Sequence, residues 1–140
     1  MFTKEMIAPC GLDCSICVLA QRKENPCAGC RGPNDHKPAY CAYECPIITC
    51  ERLRNKGYEY CDECPEYPCK DVMERETRYT NKYPRKESPL MNLREIRTLG
   101  MDAFLQKQAE RFTCPSCGRP LSVHTSICQW CGHDTETKEA

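Results

Sequence analysis

Fifteen of the 140 residues are cysteine, and they fall into groups whose spacing suits shared ligation. In order these are Cys10, Cys14 and Cys17; Cys27 and Cys30; Cys41, Cys45 and Cys50; Cys61, Cys64 and Cys69; then Cys114, Cys117, Cys128 and Cys131. C-x-x-C pairs recur at 14/17, 27/30, 61/64, 114/117 and 128/131. Two-residue spacing brings both sulfurs to one metal centre and is too short for an easy loop-closing disulfide. The chemistry expected of this chain is therefore metal ligation, with a disulfide scaffold as the rival.

Compartment bears on that choice. The first five residues hold an acid and a base, and no apolar stretch of signal-peptide length follows, so a reducing cytoplasm is expected. Fifteen cysteines and one histidine would make sixteen ligands, enough for about four tetrahedral zinc ions. Of His36, His124 and His133, only His36 lies inside the N-terminal cysteine cluster. It is the candidate twelfth ligand there, against the competing reading of a solvent-facing histidine in a polar loop.

The C-terminal pattern is the most specific. C-P-S-C-G and C-Q-W-C-G are separated by nine residues of alternating, β-branched character, and Gly118 and Gly132 suit the left-handed turn after each second cysteine. The expectation is a zinc-ribbon hairpin with Cys114, Cys117, Cys128 and Cys131 as a closed four-thiolate site, leaving His124 and His133 at the surface. Trp130, the single tryptophan, sits in the second knuckle, either covering a neighbouring helix or exposed as a contact residue.

Other motifs fail on context. Cys10, Cys14 and Cys17 spell the C-x3-C-x2-C of radical S-adenosylmethionine enzymes, but 140 residues with this pattern supply no partial α/β barrel. Cys27-x-x-Cys30 after Pro26 is half of a zinc-deaminase signature without its H-x-E. Iron–sulfur ligation stays open, because cysteine-only sites suit zinc and clusters alike.

Elements that would position these ligands are short. Asp13 is expected to cap a helix carrying Cys14 and Cys17, and Pro46 and Gly57 to bracket a helix over 46–56. A third helix should begin near Cys69 and use Val72, Met73 and Glu76. Asn92 with Glu95 reads as a capping pair for a helix ended by Gly100, and Met101, Phe104, Leu105, Ala109 and Phe112 mark the apolar face of the next. The chain divides into a Cys-rich multi-zinc module over 1–83, a helical connector over 84–112 and a zinc ribbon over 113–140. The fold class expected is small, metal-organised α+β: short helices, irregular Cys-rich loops and the C-terminal hairpin. Such a chain buries too little apolar area to hold itself together, so metal binding and folding should be one process.

Three blocks carry a family resemblance: Ala8-Pro-Cys-Gly-Leu-Asp-Cys-Ser-Ile-Cys17, Cys27-Ala-Gly-Cys-Arg-Gly32 and Lys56-Gly-Tyr-Glu-Tyr-Cys-Asp-Glu-Cys-Pro-Glu-Tyr-Pro-Cys69. The chain resembles the cysteine-rich bacterial and archaeal proteins grouped as domain of unknown function 3795 over roughly residues 6–75. The stretch from Asn92 to Phe112 leading into the ribbon is similar to the longer members. The resemblance implies a metal-binding, cytosolic protein without an assigned reaction.

Function is read in three classes. The leading one is a structural-zinc module that docks on a partner, a protein first, nucleic acid second because no basic stripe is present; 20 basic residues balance 20 acidic ones. The alternative is a redox or metal-handling protein with labile thiolates or an iron–sulfur cluster. An enzyme with one open zinc comes third and is disfavoured: Asp13, Glu44, Asp62, Glu63 and Glu66 lie near cysteines, but read as a solvated rim. No membrane association is expected.

Overall fold

A computed structural model describes residues 2–134 of the chain. Its elements follow from local chemistry. Helix α1, Glu51–Lys56, ends where Gly57 takes φ 69°, a left-handed conformation in which a Cβ would be strained. Residues 46–49 form only turns, so the helix expected over 46–56 is reduced to its second half. Helix α2, Lys70–Asn81, begins after Cys69 as anticipated. Its buried face is Val72 and Arg75, three residues apart, while Met73 is exposed.

Helix α3 is Pro89–Leu99, one turn earlier than the Asn92 capping pair implied. Ser88 is the cap, its side chain accepting from the Met91 amide at 3.0 Å, and Pro89 supplies the first helical residue. Asn92 is instead buried within the helix and donates its side-chain amide to the Gly11 carbonyl at 2.9 Å. Gly100, at φ 91°, separates α3 from α4, Met101–Phe112. Phe104 and Phe112 of α4 are buried as expected, together with Gln108, a polar residue on the same face.

Short 3-10 turns, Lys4–Met6, Cys14–Ile16, Asn34–His36 and Cys61–Glu63, and a π-helical turn, Tyr40–Glu44, make up most of the remaining local structure. Helix α3 packs against both α2 and α4. The core between α3 and α4 joins Leu93, Ile96 and Phe104 with Ile7 and Tyr60. A second core is made partly of cysteine: Cys10, Cys45 and Cys61 pack with Ala8, Ile47 and Val72. A third, Ile16, Phe112 and Val123, fastens the C-terminal segment to the body.

The protein is thus mostly helical and irregular, with less β structure than the α+β expectation held. Among the described residues the pairing is confined to isolated antiparallel bridges, Ile7 with Asp13, Thr113 with Pro120 and Ile127 with Asp134. No hairpin forms between the two C-terminal knuckles, because the segment linking them spends its backbone groups on the body. The Leu121 amide donates to the Phe112 carbonyl at 2.6 Å and the Val123 amide to the Ile16 carbonyl at 2.8 Å. Gln21 and Arg85 donate to the Leu121 and Ser122 carbonyls at 2.8 and 2.9 Å. Among the described residues no helix is long and apolar enough to cross a membrane.

Candidate metal centres

Ligand convergence is tightest at the C-terminus. Each knuckle repeats one local design: the Cys114 amide donates to the Arg119 carbonyl at 2.8 Å, and the Cys128 amide to the His133 carbonyl at 2.9 Å. The tight turn inside each knuckle is closed by Gly118 and Gly132, at φ 78° and 80°, whose amides donate to the Cys114 and Cys128 carbonyls. The result brings the Sγ atoms of Cys114, Cys117, Cys128 and Cys131 all within 4.8 Å of one another, a group that can hold a metal ion. Cys114 and Cys131 stand 3.6 Å apart, and Cys117 and Cys128 3.7 Å. Two of the four are buried and two exposed, so the site faces solvent on one side.

Electrostatics prepares one thiol and leaves another to the metal. Burial raises the Cys114 thiol, but the amides of Cys117 and Ser116 and the thiols of Cys131 and Cys128 outweigh it and bring it down to about 7. Cys117 receives a lowering amide contact from Arg119. Desolvation and the surrounding thiols prevail and push it up to about 11. Trp130 packs against the cluster of Cys114, Leu121 and Cys128, with the Arg119 guanidinium 4.7 Å over its ring. His133 is outside the thiolate group, and His124 faces inward rather than to the surface. Its Nδ1 accepts from the Val18 amide at 3.2 Å and its ring meets Tyr83 edge-on at 4.5 Å.

Among the described residues, no other three cysteines, histidines or carboxylates approach so closely. The N-terminal cysteines are arranged around a space instead. Cys10, Cys14, Cys17, Cys27, Cys30, Cys41 and Cys45 line one chamber of about 330 Å³. They reach it from the ends of short elements: Cys14 opens a 3-10 turn capped by Asp13, Cys17 closes it, and Cys45 closes the π-helical turn that contains Cys41. Asp13 accepts from the Ser15 amide at 2.9 Å, also takes the Ser15 hydroxyl, and is buried, so it is a cap and not part of a solvated rim. The chamber closes with apolar wall from Leu12, Ile16, Leu19 and Ile47, and with Val123 and His124 of the C-terminal segment.

Four thiols of this chamber, Cys10, Cys14, Cys17 and Cys41, are held protonated by their surroundings. Burial drives Cys10 up to about 12 and Cys41 up to about 11, and raises Cys17. Cys14 is raised by its hydrogen bond to Cys30, 3.5 Å away, and by burial. That same contact is the largest influence lowering Cys30 to about 7, with Lys37, Arg75 and Arg31 adding positive charge. Metal binding through Cys10, Cys14, Cys17 or Cys41 must therefore release protons.

Arg75 is the residue that sequence reasoning missed. It is 5% exposed, and its Nη2 lies 3.5 Å from Cys45 Sγ and 3.4 Å from the Tyr40 hydroxyl, while Nη1 pairs with Glu74 at 2.7 Å. Arg78, from the next turn of α2, also lines the chamber. A signal existed in the sequence: Arg75 follows Val72 by three residues and therefore shares its helix face.

The remaining N-terminal cysteines do not line the chamber. Cys50 is the N-cap of α1, Cys61 and Cys64 open and close a 3-10 turn, and Cys69 is the N-cap of α2. Burial raises the Cys61 thiol, and Cys10, Cys69, Cys50 and Cys64 raise it further. His36 lies outside the chamber. It is exposed, in the turn Asn34–His36, with Nδ1 3.3 Å from Asn25 Oδ1. Asp62 and Glu63 are engaged by Arg97, at 2.7 and 3.4 Å.

The cysteine-rich module is where comparison with known proteins finds a match. Residues 6–74 match the model of a family described as "Protein of unknown function (DUF3795)", which supports the resemblance carried by the cysteine blocks. No curated protein and no solved structure matches the chain.

Proposed function

We propose that this chain is a multi-metal thiolate protein with two kinds of site, a structural zinc ion at the C-terminal cysteines and a redox or metal-handling centre in the N-terminal chamber. The observation that carries this reading is the chamber itself: seven cysteines around about 330 Å³, with a buried guanidinium against one of them. Zinc at Cys114, Cys117, Cys128 and Cys131 suits four sulfurs within 4.8 Å of one another and makes the C-terminal segment a zinc ribbon in ligand pattern. It would hold that segment in shape where Val123 and His124 help wall the chamber. A cytoplasmic location suits free thiols and is part of the proposal.

The test is elemental analysis and absorption spectroscopy on protein purified without oxygen, with thiol titration. The reading expects zinc at the C-terminal site plus further thiolate-bound metal, lost when chamber cysteines are replaced. Metal confined to the C-terminal site would overturn it.

A second reading, a structural-zinc module that docks on a protein partner, draws on the closed C-terminal set, which offers no open coordination position. A zinc-dependent stable partner in an anaerobic pull-down would support it, and a chain that isolates alone would remove it.

A further inference from the structure

The chamber and the C-terminal site differ in a way that speaks to what each takes. A single tetrahedral ion gathers thiolates until the sulfurs nearly touch, and the C-terminal set does this, with pairs at 3.6 and 3.7 Å. In the chamber, sulfurs from three separate stretches of chain surround a volume on the order of ten water molecules. Cys14 and Cys30 stand 3.5 Å apart, and no three of these sulfurs gather as the C-terminal ones do. A polynuclear core brings its own bridging atoms, so it fills such a space while leaving the protein's sulfurs apart.

From this geometry we infer that the chamber binds an iron–sulfur core, ligated by chamber cysteines, with Arg75 as its buried charge partner. The inference deepens the redox or metal-handling reading and rests on it.

Three features of the wall favour this class of cofactor. The first is charge: iron–sulfur cores bound by thiolates are net negative, and burying one calls for a cation close by. Arg75 supplies it from α2 at 3.5 Å from Cys45 Sγ, its direction set by the Tyr40 hydroxyl and Glu74. The second is amide donation to sulfur. The Cys30 amide points to Cys14 Sγ at 3.4 Å and the Gly29 amide to Cys27 Sγ at 3.5 Å. Gly29 has φ 89°, a left-handed conformation that favours glycine in this loop. The third is the apolar cover of Leu12, Ile16, Ile47 and Val123, which limits water at the core. Hydrogen bonds to sulfur, charge and solvent exclusion are the means by which a protein sets a cluster's potential.

Arg75 acts through Cys45 and is a positioning and charge residue, not a ligand. Reduction adds one electron to the core and makes or breaks no bond with protein. The added negative charge is stabilised by the guanidinium, so Arg75 raises the midpoint potential.

The full chain, loaded with zinc, would be reconstituted without oxygen using ferrous iron and sulfide. Iron and acid-labile sulfide in equal amounts, with thiolate-to-iron charge-transfer absorption that dithionite bleaches, are expected. Cys14→Ser with Cys30→Ser should remove the absorption while the chain keeps its C-terminal zinc; absorption that survives the double replacement would overturn the assignment to the chamber. Arg75→Gln should keep the absorption and lower the midpoint potential, with Arg75→Lys restoring most of it. An unchanged potential would refute the charge role without depending on how the cysteine variants fold. If the chamber takes zinc alone, with only zinc–sulfur scattering in X-ray absorption, the iron–sulfur inference fails while the multi-metal reading stands. If it takes no metal, both fail.

Discussion

Gln108 Nε2 stands 3.0 Å from Asp13 Oδ2 across 95 residues of chain, and both side chains are buried. The same nitrogen reaches Glu87 at 3.1 Å. One amide from α4 thus satisfies the cap of the turn that carries Cys14 and the carboxylate that enters α3. Replacement of Gln108 by leucine would leave two buried carboxylates short of a donor. A loss of about 2 kcal/mol is expected, read by chemical denaturation of metal-loaded protein. A neutral result would mean that Asp13 and Glu87 find other donors.

Glu87 carries a pH signature. Burial raises its carboxyl above the ordinary value of 4.5, against lowering contacts from Arg111, Gln108 and Asn92. A carboxyl raised in the folded state contributes stability that is fully present below 4.5 and lost as pH rises through its folded value. The amide of Glu87→Gln has no such titration. Relative to the unaltered protein, the variant should therefore gain in melting temperature as pH rises from about 4.5 toward neutrality. A difference that stays constant across that range, or shrinks with pH, would contradict the shift.

Zinc uptake at the C-terminal site should be proton-linked. Cys117 is pushed up to about 11, so it is a thiol at neutral pH and must give up its proton to bind. Apparent zinc affinity should rise with pH between 6 and about 8, and calorimetry in buffers of different ionisation enthalpy should report proton release. Binding without proton uptake by buffer would mean the four sulfurs are already ionised.

Gly11 lies between Cys10 and Leu12 at φ 101°, and a Cβ there would sit 2.5 Å from the Pro89 carbonyl oxygen. Backbone atoms cannot give way as a flexible side chain can. Gly11→Ala should cost roughly 2–3 kcal/mol, seen as earlier denaturation with metal present. Full stability in the alanine variant would show that α3 can move off the Cys10 loop.

Several features were legible because their causes are local. The four C-terminal ligands fall within eighteen residues, and two glycine-closed knuckles bring them together with little help from elsewhere. Helix α2 starts after Cys69 and α3 stops at Gly100 for similar reasons, a capping position and a left-handed residue. The helix start assigned to Asn92 was misread because Ser88 with Pro89 is the better cap, which leaves the Asn92 amide for a partner 81 residues away. The hairpin between the knuckles did not form for the same kind of reason. Its alternation is real, but Ile16, Gln21 and Arg85 compete for its backbone groups.

Sequence by itself determined that this is a cysteine-rich chain with a four-thiol group that can hold a metal ion, which cysteines share a knuckle, and where the helices can begin and end, since spacing and turn chemistry act over a few residues. Only the tertiary structure decided how the other cysteines are shared out: seven around one chamber, and Cys50, Cys61, Cys64 and Cys69 outside it. It also decided that Arg75 meets Cys45 thirty residues away and that His36 stays outside. Those outcomes depend on how turns from distant parts of the chain dock, where many pairings satisfy the same spacing and packing selects one.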